Sequence, residues 1–266
     1  MILPDCQTLK LELAQGVLNM MFNRPKSRNA LSLQMVEEMQ SVLSIIDGDT
    51  NCRVLVLRGV GGYFCAGGDI KDMAAARHSR EAIRDLNRAF GTLIAQLDRI
   101  SQTVIAVVEG AAMGGGFGIV CVADVVLAES SAKMALPETS LGVIPAQIAP
   151  FLVQRIGLMA SRRLSLTGAT LRGESLKQEG LADEIYDGTE ALEMGLQQVL
   201  SRVRRCAPRA SAQTKRLLNS IAHQDLDVVL DNGAAEFAEA VLSPEGMEGM
   251  MSFLQKRKAS WAEGLE

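Results

Sequence analysis

The chain has 266 residues, long enough for one large domain or two small ones and ample for a buried core. Hydrophobic residues make up 48% of it and the formal net charge is −4, a balance that excludes a polybasic binder of nucleic acid or anionic membrane. Cys6, Cys52, Cys65, Cys121 and Cys206 are odd in number and lack CxxC or metal-ligand spacing, so they read as reduced thiols.

Pro4 and Asp5 stand where a basic-then-apolar signal segment would begin, and no apolar run reaches bilayer length, so a cytoplasmic protein is expected. Leu9, Leu11 and Leu13 alternate with polar residues, Gln15-Gly16 makes a turn, and strand-like spacing resumes over 17–22; a hairpin is predicted. Asn23-Arg24-Pro25 ends it. Ser32 is placed to cap a helix over 33–46, in which Leu33, Val36, Met39, Val42 and Leu43 repeat at helical spacing. Residues 54–58 are strand-like, and FCAGGD at 64–69 reads as another apolar strand running into a glycine turn. From 71 to 100 the pattern is helical and basic, with Arg77, His78, Arg80, Arg84 and Arg88 beside a predicted buried stripe of Ile83, Leu86, Phe90, Leu93, Ile94 and Leu97.

The segment 103–118, TVIAVVEGAAMGGGFG, orders a β-branched strand, a glycine-rich turn and a helix start. Gly114, Gly115, Gly116 and Gly118 imply a backbone that approaches something closely or takes positive φ. A tight strand-to-helix crossover is one reading; amides aimed at a ligand is the other. A P-loop is excluded because Gly116 and Phe117 replace its Lys and Ser or Thr. A dinucleotide fingerprint starting at Gly59 is excluded because Phe64 takes the place of its last glycine. His78 and His223 are the only histidines and there is no GxSxG elbow, which removes a serine triad. An oxyanion hole near Gly115 remains, and it needs a second donor.

Glu138 lies in the mostly apolar run LPET, where desolvation would raise its pKa into the range of an acid-base catalyst. A helix-start carboxylate after Pro137, or a salt-bridged one, is the structural alternative. Helix-like stretches follow at 151–156 and 161–166, then a helix and short strand over 176–185. Residues 192–266 carry amphipathic helices punctuated by Pro208 and Pro244, and Arg202, Arg204, Arg205 and Arg209 read as a solvated helix face. No repeat, low-complexity tract or linker divides the chain.

NRPKSRNAL at 23–31, FCAGGDI at 64–70, MGGGFG at 113–118, LPETSLGVIP at 136–145 and FLQKRK at 253–258 together resemble the signature segments of the enoyl-CoA hydratase/isomerase (crotonase) superfamily, in order and over nearly the whole chain. The resemblance implies an α/β fold, with a crotonase-like ββα spiral core over 1–200 and a C-terminal helical trimerisation region over 201–266. It implies an oxyanion hole from the Gly68 and Gly115 amides around an acyl-CoA thioester carbonyl, with Glu138 as the catalytic carboxylate. It places Lys26, Arg28, Ala66, Asp69 and Ile70 beside the CoA, and Lys256 against the CoA of a neighbouring subunit in a homotrimer or dimer of trimers. Phe117, Gly118 and Gln147 fall at the acyl pocket, and an arginine of 71–100 is a candidate for a carboxylate at the far end of the acyl group. No metal or redox cofactor is expected, since CoA is part of the substrate.

The sequence departs from the common two-glutamate hydratases at one place, where Gly118 replaces their first glutamate. Asp69, Glu109 and Asp124 are not promoted to replace it. The segment PAQIAPF at 145–151 resembles bacterial hydratases of 3-branched glutaconyl-CoA esters. That implies hydration of isohexenylglutaconyl-CoA, from acyclic terpene breakdown, or of 3-methylglutaconyl-CoA, from leucine breakdown, to the 3-hydroxyacyl-CoA. An enoyl-CoA isomerase using the single glutamate is the nearest alternative. A thioester hydrolase, a decarboxylase and a non-catalytic acyl-CoA-binding protein are further ones.

Overall fold

The structure is a computed structural model and describes residues 2–262. It begins with the expected hairpin, β1 (Leu9–Ala14) and β2 (Val17–Phe22). Gln15 and Gly16 both take positive φ, 49° and 75°, the combination that matches a two-residue turn to strand twist. Helix α1 (Leu33–Ile46) follows, and the Ser32 hydroxyl accepts the Met35 amide at 3.2 Å, as its capping position predicts.

Then come β3 (Val54–Gly59), α2 (Ile70–Ala76), α3 (Arg80–Arg99), β4 (Thr103–Val108), β5 (Ala111–Met113) and α4 (Gly115–Cys121). They are followed by β6 (Val125–Glu129), β7 (Lys133–Ala135), a 3-10 turn at Glu138–Leu141, α5 (Ala149–Thr167), β8 (Thr170–Arg172), α6 (Glu174–Gln178) and β9 (Glu184–Tyr186). The remainder is helical: α7 (Gly188–Arg205), α8 (Pro208–Ser220), α9 (Leu226–Leu242) and α10 (Pro244–Leu254). Pro208 and Pro244 each occupy a first helical position, where a missing N–H costs nothing.

Strands β1-β2-β3-β4-β6-β9 form one sheet, antiparallel only at β1, and β5-β7-β8 form a second. A parallel sheet needs cover on both faces, and the alternation along each strand supplies it. Val54, Val56, Ile105, Val107 and Leu127 face α7, whose Leu192, Leu196 and Leu200 seal that side. Leu55, Leu57, Val104, Ala106 and Val108 face the larger core with α1, α3 and α4. Burying each α7 leucine is worth at most about 1.5–3 kcal/mol. The division at 200/201 thus falls inside a helix that packs on the sheet, and residues 263–266 of the C-terminal region lie outside the described residues.

Two expectations need correction. Residues 64–69 contain no strand, only isolated bridges from Cys65 to Ala112 and from Gly68 to Leu31, because their hydrogen bonds go to two different segments. Only the C-terminal half of the α3 stripe is buried: Leu93, Ile94 and Leu97 are, while Ile83 is 47% exposed and Leu86 is half-buried. The stretches 151–156 and 161–166 are helical as expected: α5 consists of two helical segments joined across a kink at Gly157, whose φ of 76° and ψ of 164° interrupt the helix. Strands β5, β7 and β8, at three residues each, carry no periodic signal in the sequence.

Candidate active site

Two glycine turns meet at the C-terminal side of β3 and β4. Asn29 ties the first to the preceding loop: its side-chain amide donates to the carbonyls of Val60 and Tyr63, and its carbonyl accepts the Arg24 amide. Leu31 then bridges Gly68, with the Leu31 amide bonded to Gly67 O at 2.8 Å and the Asp69 amide bonded to Leu31 O at 2.9 Å. In that parallel pairing the residues flanking Gly68 make the bonds, so its own N–H points away from Leu31. The second turn ends in Gly114, at φ 49° and ψ −117°, a region closed to other residues, and Gly115 opens α4. Among the described residues neither the Gly68 nor the Gly115 amide donates to a protein acceptor. The turns touch, since a Cβ built on Gly67 lies 3.2 Å from Met113 O, and one built on Gly114 lies 3.7 Å from the Gly67 Cα.

Glu138 closes this corner. Its Oε1 is 3.0 Å from where a Gly114 Cβ would stand, so Gly114 is the residue that lets the carboxylate approach the turn. Its Oε2 is buried with no hydrogen-bond partner among the described residues, a condition costing about 1–3 kcal/mol in a folded interior. Burial pushes the carboxyl above its ordinary value, opposed only by its own backbone N–H. Glu138 begins the 3-10 turn after Pro137, yet no described cation pairs with it, so the salt-bridge alternative does not hold.

One consequence concerns stability. Because the folded-state pKa of Glu138 lies above the unfolded value, the native state binds its proton more tightly, and stability falls as pH rises from the unfolded pKa through the folded one. Glu138→Gln lacks this loss. The variant is expected to be more stable than the parent at pH 7, with the difference shrinking as pH is lowered toward 4.5, as measured by urea unfolding across that range.

Gly118, one turn further along α4, is buried beneath the side chains of Ile94 and Ile148. A Cβ there would stand 2.8 Å from Ile94 Cδ1 and 3.0 Å from Ile148 Cγ1. Among the described residues the atoms nearest that position are apolar, from Ile94 and Ile148, and none is a carboxylate. Phe117 is 1% exposed and belongs to the main core. Gln147 lies over α3, its Oε1 only 1.8 Å from the position of a Gly91 Cβ, with Arg88 Nη1 at 3.1 Å from the same point. Of the α2–α3 cations, Arg77 donates to His78 and Arg84 pairs with Asp85, whereas Arg88 turns toward Gln147.

Among the residues assigned to CoA, Lys26 is exposed, and Arg28 is exposed with its guanidinium 5.3 Å from the Tyr63 ring centroid. The Ala66 amide is committed to Arg28 O. Asp69 is structural in its side chain. Burial works to raise its pKa, but the Arg24 guanidinium at 2.7 Å and the Lys71 amide outweigh burial and hold it below the usual carboxylate range. Ile70 is 79% exposed beside it. Lys256 lies far along the chain, exposed and left-handed at φ 53° after α10.

Sequence reasoning flagged Gly114 only as one of four clustered glycines, and missed Leu31, Gly67, Ile94 and Ile148 as site-forming residues. Only Gly67 and Gly114 carried a signal, as glycines beside the chosen ones.

The chain matches the family model described as enoyl-CoA hydratase/isomerase over residues 12–264. It is 31% identical to 2,3-dehydroadipyl-CoA hydratase of Escherichia coli (strain K12), across 91% of this chain and 94% of that one. Among solved structures it is similar to Pseudomonas aeruginosa AtuE, at 52% identity and a TM-score of 0.95 over 97% of this chain and 100% of that one. An enoyl-CoA hydratase/isomerase from Marinobacter aquaeolei gives 49% identity, a TM-score of 0.95 and the same coverage. With this fold and these matches, the chain belongs to the enoyl-CoA hydratase/isomerase family of the crotonase superfamily, and is an enzyme of the enoyl-CoA hydratase type acting on acyl-CoA.

Proposed function

We propose that the enzyme hydrates a 3-branched enoyl-CoA, isohexenylglutaconyl-CoA or 3-methylglutaconyl-CoA, to the 3-hydroxyacyl-CoA, in terpene or leucine catabolism. The observation that carries this reading is a single carboxylate, Glu138, whose buried Oε2 has no partner among the described residues, together with Ile94 and Ile148 filling the space over Gly118.

The thioester oxygen accepts the Gly68 and Gly115 amides, each worth about 3 kcal/mol to a developing enolate. Glu138 takes a proton from water as its oxygen bonds to C3, and the C2–C3 π electrons move to the thioester oxygen. Glu138 then returns the proton to C2, which restores the carboxylate and the carbonyl. An alkyl group at C3 supports positive character there, so the second carboxylate of a linear-chain hydratase is less needed. Gln147 orients the water in this scheme, and Arg88 receives the distal carboxylate of a glutaconyl group. Lys26, Arg28, Ala66, Asp69 and Ile70 contribute to the CoA site, with CoA as part of the substrate and no further cofactor.

The same reading includes a homotrimer or dimer of trimers in which Lys256 reaches a neighbour's CoA and the region 201–266 packs at the interface. Exposed Phe237, Leu242, Phe253 and Leu254 on α9 and α10, with Leu141 and Ile144 after Glu138, support it.

The test is a panel of 3-methylglutaconyl-CoA, isohexenylglutaconyl-CoA, crotonyl-CoA and a 3-enoyl-CoA with products followed by mass. Gain of one water, fastest on a branched glutaconyl ester, is expected. A double bond moved without mass change would instead establish the isomerase reading, which the single carboxylate also favours, since one group suffices to carry a proton between C2 and C4.

A further inference from the structure

Cys65 lies directly behind both glycine turns and takes no part in the proton transfers. It is fully buried, and its Sγ accepts the Gly67 amide at 3.5 Å, one residue before the Gly68 donor. On the other side it meets Gly116, one residue after the Gly115 donor. A Cβ built on Gly116 would stand 2.6 Å from Cys65 Cβ and 2.9 Å from its Sγ, so Gly116 is glycine because the Cys65 side chain fills that space. Its backbone completes the link, with the Cys65 amide bonded to Ala111 O and its carbonyl accepting the Met113 amide, both at 2.9 Å. Burial pushes the thiol up to about 12, which keeps it protonated, unreactive and uncharged beneath the site.

We propose that Cys65 is a positioning residue of the oxyanion hole: its sulfur holds the turn leading to the Gly68 amide against the start of α4, fixing the separation of the two donors. The inference rests on the hole described under the proposed function, though not on the choice of hydration or isomerisation. Each donor aligns with the oxyanion only if its neighbour stays in place, and the Cys65 sulfur touches both neighbours. Removing it leaves the backbone bonds from Cys65 to Ala111 and Met113 as the link and takes away the side-chain contact that sets the two neighbours against each other.

The experiment is isotope-edited infrared spectroscopy of [1-13C]crotonyl-CoA bound to Glu138→Gln, a background that prevents turnover, and to the same protein carrying Cys65→Ala, Cys65→Ser or Cys52→Ala. Cys52→Ala is the control, because that thiol is equally buried but sits against Leu18, Asp49 and Val54 at the far end of β3. The bound carbonyl stretch is expected to move to lower frequency in Glu138→Gln and in the Cys52→Ala control, and to lose much of that movement in Cys65→Ala. Cys65→Ser, which keeps a smaller acceptor, should fall between them, and it reads the same effect if Cys65→Ala does not fold. In the parent background Cys65→Ala should lower kcat roughly 10- to 100-fold with KM little changed, as for displaced rather than missing donors. A carbonyl shift unaltered by either Cys65 substitution, or lost equally in the Cys52 control, would overturn the inference while leaving the hole intact. Absence of any shift in Glu138→Gln alone would overturn the hole itself, and this inference with it.

Discussion

Glu138→Gln should lower kcat by about 10²–10⁴-fold, the contribution of a positioned acid-base group, while acyl-CoA binding stays nearly unchanged. The amide is close in volume to the carboxyl, so the approach to Gly114 survives. It cannot take a proton from water, however, and no other described carboxylate stands at this corner. Asp69 is bonded to Arg24 and Lys71, Asp124 to Lys215 and the Val104 amide, and Glu109 pairs with Arg58. Stopped-flow turnover and calorimetric binding of one substrate separate the two effects. Retained turnover would exclude Glu138 as the sole acid-base group.

Gly118→Glu, which restores the glutamate of the common hydratases, should damage the protein rather than improve it. The first added carbon meets Ile94 Cδ1 at 2.8 Å and Ile148 Cγ1 at 3.0 Å, in a fully buried place. Overpacking of this sort costs about 1–3 kcal/mol, and an unpaired carboxylate among isoleucines adds several more unless it stays protonated. A loss of at least about 3 kcal/mol in urea unfolding is expected, together with lower activity on every substrate. Shortening Ile94 to Ala in the same protein should recover part of the stability by opening room. Higher activity of the single variant on crotonyl-CoA would show that the apolar flank does not exclude a second carboxylate.

Most of the frame was legible in the sequence because its determinants are local. Ser32 before a 3.6-residue repeat announces α1, Gln15-Gly16 between alternating strands announces the hairpin, and the β-branched run before Gly114 announces β4 and α4. Glu138 was legible as a candidate, since an acidic residue in an apolar run stands out. What closes the site was not legible. Ile94, from the middle of α3, and Ile148, before α5, reach Gly118 from distant parts of the chain, and periodicity marks Ile94 only as one more apolar helix residue. Ile83 shows the limit of the same signal: it falls on the predicted stripe and is 47% exposed. The contact of Cys65 with Gly116 is likewise tertiary, joining residues 51 apart in sequence.

The pH profile of kcat/KM on a branched glutaconyl-CoA tests the single-carboxylate account most directly. One group that must be ionised to activate water gives one acid limb of unit slope, bending above the ordinary glutamate value of 4.5 because burial raises Glu138, with a plateau on the alkaline side. That profile is the expected result. A bell-shaped profile, or an acid limb of slope two, would require a second ionising group in the transition state and would contradict the account.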